Sequence, residues 1–170
     1  MSNHPDWLPA ALRYSDFDGD YDRFLTVVYE VFERDFKQSK PHYHNCPISY
    51  DSRIEDGKEA AFWHITSGFD PSTGKRELDL RRAERIPWPK TMIENCNDKA
   101  ISVWRSERIR KKGACQTRIL IWLEGLDYLV VLAEMKRLIV LVTAYCTDSN
   151  HRRRKMRKER DEYYGMQKPP

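Results

Sequence analysis

Hydrophobic side chains recur at every third or fourth position between residues 21 and 37. Phe24, Val28, Phe32 and Phe36 belong to this series, and charged residues occupy the intervening positions. This is the period of an amphipathic α-helix, whose apolar stripe packs against a core. An acidic turn at residues 16–20 precedes the segment and Pro41 follows it. The pattern therefore predicts a helix over residues 21–37.

The pattern changes in the second half of the chain, where four segments are rich in β-branched, aromatic and leucine residues. They cover residues 101–108, 117–124, 128–135 and 138–146, with short polar breaks between them. Segments of this length and composition, joined by tight turns, predict a four-stranded antiparallel β-meander. A strongly basic segment over 150–164 follows and predicts a terminal helix, with Asp148, Ser149 or Asn150 as its N-cap.

The middle of the chain gives weaker signals. Residues 47–54 predict a short strand, 60–66 either a helix end or a strand, 68–74 a turn-rich loop, 78–85 a polar helical turn and 89–97 a short helix. The predicted fold class is α+β: N-terminal helices, a four-stranded antiparallel meander and a basic C-terminal helix. We expect an extension over 1–19, a single domain over 20–164 and a tail over 165–170.

Composition narrows the classes of partner. The chain has 170 residues, 40% of them hydrophobic, a mean hydropathy of -0.78 and a net charge of +4. Lys and Arg are concentrated in 75–90, 105–118 and 152–160. We therefore expect a polyanionic partner to meet the C-terminal two-thirds of the chain. No secretory signal and no membrane-spanning segment is predicted, which favours a cytoplasmic protein.

The four cysteines, Cys46, Cys96, Cys115 and Cys146, show no C-x-x-C spacing. They fit reduced thiols better than a disulfide framework or a zinc site. We predict neither a metal nor a cofactor.

The end of the last predicted strand carries a hydroxyl and a phenol. If side chains alternate strictly, Leu141, Thr143 and Tyr145 share one face and Ala144 and Cys146 the other. Thr143 and Tyr145 could then hold a phosphate oxygen and stack a base. The alternative is an ordinary threonine and a half-buried tyrosine at a strand end.

His64 is the leading candidate for proton transfer. An imidazole titrates near neutral pH, and the apolar neighbours of His64 would favour the neutral form that a base requires. The alternative is a histidine that is hydrogen-bonded inside the core. His42 and His44 are rivals, and their H-x-H spacing is also that of a metal pair, although no further ligands stand out.

Two groups of cations could bind phosphate. Arg81, Arg82 and Arg85 lie in one short segment, where guanidinium groups could grip a phosphate bidentately. Acidic residues interleave with them, so a salt-bridged surface is the alternative. The second group is the basic run of the predicted terminal helix, which could bind along an RNA backbone or could be a solvated helical face. It consists of Arg152, Arg153, Arg154, Lys155, Arg157 and Lys158.

Four segments together resemble a known family. They are FWHITS at 62–67, RRAERIPW at 81–88, DYLVVLAEMKRLIVLVTAY at 127–145 and HRRRKMRKE at 151–159. The chain resembles, over about residues 60–164, the phage- and toxin-associated members of the barnase–EndoU–colicin–RelE superfamily of small ribonucleases. The resemblance implies N-terminal helices followed by a four-stranded antiparallel sheet.

The resemblance also implies an activity and a set of catalytic residues. The activity is metal-independent RNA cleavage, in which a 2′-hydroxyl attacks the adjacent phosphate to give a 2′,3′-cyclic product. His64 matches the family histidine, Arg82 and Arg85 the basic positions, and Thr143 and Tyr145 the hydroxyl-x-Tyr element. A second catalytic histidine of the EndoU kind has no counterpart in this sequence. An acidic inhibitor protein would be the expected partner of such a toxin.

Two other functions remain open at this point. The protein could bind RNA or DNA without cleaving it, using the basic terminal helix as an electrostatic clamp. It could also be a protein-interaction module whose acidic first helix and basic last helix pair with each other or across a dimer.

Overall fold

The fold of the chain is α+β in a computed structural model that describes residues 4–167. The helices of these residues are α1 (Tyr21–Phe32), α2 (Ala60–Thr66), α3 (Leu80–Glu84), α4 (Trp88–Glu94) and α5 (Asn150–Met166). The strands are β1 (His42–Tyr43), β2 (Cys46–Tyr50), β3 (Ile54–Glu55), β4 (Lys58–Glu59), β5 (Ser67–Asp70), β6 (Lys75–Leu78), β7 (Ser102–Ile109), β8 (Cys115–Leu123), β9 (Tyr128–Met135) and β10 (Leu138–Cys146). Residues 1–3 of the predicted extension and 168–170 of the predicted tail lie outside the described part.

The main sheet has six strands in the order β1-β2-β10-β9-β8-β7. Strand β7 pairs antiparallel with β8, β8 with β9, and β9 with β10. The sheet is nevertheless larger than the four-stranded one predicted, and it is mixed because β2 pairs parallel with β10. A short segment such as β2 gives little periodic signal, so its pairing with a strand about 90 residues later is not visible in the sequence.

Most local predictions for the helical part agree with the structure. Helix α1 begins at Tyr21, where the Asp20 side chain caps it by accepting from the Arg23 backbone N–H, and a π-helical turn over Glu33–Gln38 continues it. Residues 60–66 form a helix rather than a strand. The expected loop at 68–74 is wrong in part, because β5 and β6 pair there as a hairpin.

Two hydrophobic cores cover the two faces of the sheet. The large core lies between the sheet and α1, α2 and α4, and contains Phe24, Phe32, Phe62 and Met92, all fully buried. Leu8, from the predicted extension, is also buried in it. The small core lies beneath α5 and consists of Trp104, Leu120, Trp122, Leu129, Val131 and Met156.

A β-bulge in β10 changes which side chains share a face. Leu141 pairs with Leu132 but Thr143 pairs with Val131, so Val142 is an extra residue in the strand. Leu141 therefore lies in the large core, whereas Tyr145 packs against the small one. The prediction that Leu141 and Tyr145 share a face is wrong, because one inserted residue reverses the alternation.

Helix α5 is attached to the sheet through Met156, Tyr163 and several ion pairs. Ser149 caps the helix by accepting from the Arg152 backbone N–H. Met156, 5% exposed, is the residue of α5 that enters the small core. The remaining surface of the helix is highly polar, so charged contacts at the edge of the sheet hold much of its length. None of the helices in residues 4–167 is both long and apolar enough to cross a membrane.

Candidate nucleic-acid site

A cavity of about 180 Å³ opens where β10 ends and α5 begins. We call it the Tyr145 cavity. Its lining is cationic and aromatic, with a single methionine as its apolar wall. The residues that line it are Arg82, Tyr145, Thr147, Arg152, Lys155 and Met156.

Two guanidinium groups face the ring of Tyr145. The Cζ atoms of Arg82 and Arg152 each lie 5.5 Å from the ring centroid. Arginine binds aromatic faces through cation–π attraction and still presents N–H groups in its own plane. The arrangement leaves two cations beside one half-buried phenol, with Lys155 as a third positive charge. Such a group can hold a phosphate and stack a base.

Arg82 is fixed in place by its neighbours. Its Nη1 donates to the Ser67 backbone oxygen at 2.7 Å, and its Nε lies 3.5 Å from the Asp79 carboxylate. The same carboxylate accepts from the Arg81 and Arg82 backbone N–H groups and caps α3. Burial lowers the pKa of Arg82, although a guanidinium remains charged at neutral pH. A charge stripped of part of its water binds an incoming anion more strongly.

The phenol of Tyr145 is protonated at neutral pH. Burial raises its pKa, and the charges of Arg152, Arg108 and Arg82 act in the opposite direction. The hydroxyl is therefore available as a hydrogen-bond donor to a phosphate oxygen.

Thr143 does not line the Tyr145 cavity. Its Oγ1 donates to the His64 backbone oxygen at 2.7 Å. This bond joins α2 to β10 beyond Leu141, the last residue of β10 that pairs with β2. Thr143 thus brings the backbone of His64 to within two residues of Tyr145 along the strand.

The imidazole of His64 lies in a different charged environment from Tyr145. Burial lowers its pKa, and the nearby charges that act on it come from Arg76, Glu55, Asp51 and Arg53. The ring is not part of the lining of the Tyr145 cavity. The lowered pKa of His64 favours the neutral form of the ring, which is the form that could accept a proton.

The lowered pKa of His64 predicts that acidification destabilises the fold. Below a pH of about 6.5, the ordinary value, the unfolded chain binds a proton before the folded chain does. The His64 contribution therefore falls as the pH drops from that value towards the folded-state pKa. We expect His64→Gln to lose less stability than the wild type between about pH 7 and pH 5 in urea denaturation. An identical pH dependence of the two proteins would contradict this.

Arg81, on α3, and Arg85, the residue that follows α3, do not line the Tyr145 cavity. Arg85 stacks on Trp88, with 5.1 Å between its Cζ and the ring centroid, and its Nη1 donates to the Arg81 backbone oxygen. Arg81 is paired with Asp148. The charge of Arg85 acts on Tyr128, a fully buried phenol whose hydroxyl has no partner among the described residues. Of the predicted arginines of this segment, Arg82 alone lines the cavity.

The predicted RNA-binding residues of α5 divide into three groups. Arg152 and Lys155 line the Tyr145 cavity. Arg153 makes a two-bond ion pair with Asp127, at 2.7 and 2.8 Å, and Arg157 lies 2.5 Å from Glu124, so these two attach the helix to the sheet. Arg154 and Lys158 are exposed.

Sequence inspection missed three contributors to this region. Thr147 is fully buried, accepts from Trp122 Nε1 at 2.9 Å and forms part of the cavity wall. Arg108 and Arg118 act electrostatically on Tyr145 from β7 and β8. The concentration of basic residues over 105–118 was the available signal, but it did not indicate which side chains face Tyr145.

The H-x-H pair does not form part of a metal cluster within residues 4–167. No group of three or more His, Cys, Asp or Glu side chains in this part of the chain could hold a metal ion. His44 Nε2 instead lies 4.0 Å from Cys96 Sγ. The cysteines Cys46, Cys96, Cys115 and Cys146 are all free thiols.

Comparisons with known proteins found no relative. No protein-family model matches the chain, and neither the curated proteins nor the solved structures contain a significant match.

Proposed function

We propose that this protein is a metal-independent endoribonuclease that binds RNA at the Tyr145 cavity. The observation that carries the proposal is the placement of Arg82 and Arg152, from distant parts of the chain, on one half-buried phenol. Guanidinium groups that are fixed before substrate binds stabilise charge that develops on a phosphate without reorganising. The reaction is attack of a ribose 2′-hydroxyl on the adjacent phosphate, which yields a 2′,3′-cyclic phosphate and a free 5′-hydroxyl.

Arg82, Arg152 and Lys155 hold the phosphate in this proposal, and Tyr145 donates to it or stacks on a base. His64 takes the proton of the 2′-hydroxyl and returns a proton to the 5′-oxygen as it leaves. Two contacts link its helix to the cavity: the Thr143 hydroxyl binds the His64 carbonyl, and Arg82 binds the carbonyl of Ser67, three residues later. The consecutive antiparallel pairing of β7 to β10 fits the sheet implied by the resemblance to small ribonucleases.

A second function, RNA binding without cleavage, is favoured by one observation. The lining of the Tyr145 cavity contains three cations and a phenol but no imidazole. Such a site binds phosphate well, while its own side chains offer little acid–base chemistry at neutral pH.

Incubation of the purified protein with RNA in EDTA tests the two functions. The nuclease proposal expects fragments that end in 2′,3′-cyclic phosphate, detected by mass spectrometry. Intact RNA together with tight, salt-sensitive binding would replace the nuclease with the non-cleaving binder. Absence of both cleavage and binding would refute both and would leave the interaction module.

The same proposal carries expectations about biology. A nuclease of this kind would act as a toxin or in phage defence, in the cytoplasm, and would be controlled by an acidic inhibitor protein that covers the basic cavity. Co-expression with such an inhibitor should relieve any toxicity of the chain.

A further inference from the structure

The sheet face that carries Tyr145 extends beyond the area that α5 covers. On β8, Trp122 and Leu120 lie in the small core. Arg118 and Gln116 follow on the same face, because alternate residues of a strand point to the same side. This continuation of the face is polar and basic rather than apolar.

Arg118 lies between small neighbours and close to a second arginine. Ser106 of β7 is directly opposite Arg118 on one side, and Ala133 of β9 is opposite on the other. Arg108 pairs with Gln116 and is therefore a diagonal neighbour of Arg118, about 7–8 Å away between Cα atoms. The short side chains of Ser106 and Ala133 leave room beside the guanidinium of Arg118.

The guanidinium of Arg118 has no anionic partner within residues 4–167. Its Nε is shielded from solvent and makes no hydrogen bond, and the side chain forms no ion pair with these residues. The charges that act on it come from Arg108, Arg110 and Tyr145, and burial together with the two arginines lowers its pKa. A shielded donor without an acceptor is unfavourable, and two nearby cations increase the cost. An anion bound to Arg118 would accept from the unpaired donor and would offset the repulsion between the arginines.

Several other arginines of the protein form an ion pair with a carboxylate. Arg153 has Asp127, Arg157 has Glu124 and Arg105 has Glu134. Arg108 also has a carboxylate nearby, since its guanidinium lies 3.6 Å from Glu159. Arg118 forms no such pair with the described residues.

We propose that Arg118, with Arg108 and Arg110, forms a second phosphate subsite that binds the RNA backbone next to the phosphate held in the Tyr145 cavity. The proposal rests on RNA being the ligand of that cavity. Tyr145 connects the two subsites, since its phenol is acted on by Arg82 and Arg152 of the cavity and by Arg108 of the second cluster. The turn after β7 adds Lys111 and Lys112. The RNA strand therefore crosses the open face from β10 towards the β7–β8 hairpin.

The binding of two RNAs of different length distinguishes the two subsites. Both carry 2′-O-methyl groups, so that neither can be cleaved and binding alone is measured. A dinucleotide has one bridging phosphate and occupies the Tyr145 cavity only, whereas an octanucleotide reaches both subsites. Arg118→Gln should weaken octanucleotide binding about tenfold, as expected for loss of a hydrogen bond to a charged group, and should weaken dinucleotide binding far less, because only the long-range charge of Arg118 acts on the cavity. The slope of log affinity against log salt for the octanucleotide should fall by about 0.7.

Arg23→Gln provides the matched control. It makes the same charge change at an exposed position of α1, which packs on the opposite face of the sheet, and both RNAs should bind as they do to the wild type. If Arg118→Gln does not fold, Ser106→Glu takes its place, because a carboxylate opposite Arg118 should produce the same selective loss of octanucleotide binding.

Three results would overturn the second subsite. Octanucleotide binding that is indifferent to Arg118→Gln would remove Arg118 from the RNA path while leaving the Tyr145 cavity intact. An equal loss for both RNAs would place Arg118 in the cavity itself. Failure of the wild type to bind either RNA would overturn the proposed function together with this inference.

Discussion

Arg82→Lys is expected to lower the rate of RNA cleavage by about 100-fold or more. The substitution keeps a positive charge but removes the planar group that lies on Tyr145 and also donates to the Ser67 carbonyl. Loss of one fixed donor to a developing negative charge costs about 100- to 1,000-fold in rate. Lysine offers a mobile point charge in place of a fixed fork of donors, so we expect little compensation. Initial rates on a fluorescent RNA substrate measure the effect.

Arg23→Lys is the matched control for Arg82→Lys. It exchanges the same residue types at an exposed position on α1, where the guanidinium lies 5.7 Å from the Phe17 ring centroid, and it should cleave like the wild type. Thermal denaturation of both variants shows whether the fold is kept. A well-folded Arg82→Lys protein with wild-type cleavage would exclude Arg82 from the catalytic site.

Trp122→Ala is expected to reduce the free energy of unfolding by about 4 kcal/mol. Trp122 is fully buried in the small core, where it contacts Trp104 edge to face and donates from Nε1 to the Thr147 hydroxyl. The substitution would leave a cavity beneath α5 and a buried hydroxyl without its donor. Urea denaturation, read from the midpoint and slope of the transition, measures the loss.

Met135→Ala serves as the comparison for Trp122→Ala. Met135 is 44% exposed at the end of β9, and its truncation should change the free energy of unfolding by less than about 0.5 kcal/mol. A loss below about 1 kcal/mol for Trp122→Ala would show that the small core contributes little to holding α5. Because Thr147 lines the Tyr145 cavity, RNA affinity should fall in the same variant even when it is folded.

The basic residues of α5 have two roles, which are to attach the helix to the sheet and to line the Tyr145 cavity. Arg153 and Arg157 bind acidic residues at the edge of the sheet, whereas Arg152 and Lys155 face the cavity. Residues three or four apart lie on one helical face, and 152 and 155 satisfy that spacing, as do 153 and 157. Helical spacing thus allows the two faces to be anticipated, but the acidic partners that occupy one of them come from a turn about 30 residues earlier.

The candidate site can be predicted only in part from the sequence. The residue types near Tyr145 were anticipated, since Arg82, Arg152 and Lys155 were predicted and do line one cavity. Arg85 and Arg81 belong to the same short basic segment but turn towards Trp88 and Asp148. A helix as short as α3 places successive arginines on different sides, and only the packing of the helix decides which side faces the cavity.

The sequence by itself determined the local elements: the period of α1, the four strands from β7 to β10 and the basic character of α5. These follow from side-chain periodicity and from residue preference, which act over a few neighbouring positions. The tertiary structure alone decided the parallel pairing of β2 with β10, the bulge at Val142 and the meeting of Arg82 with Arg152 at Tyr145. The bulge depends on the register between β9 and β10, whereas the pairing of β2 with β10 and the contact of Arg82 with Tyr145 join residues about 60 to 90 positions apart in the chain. No periodicity encodes contacts of that range, because they arise only when the two cores close around the sheet.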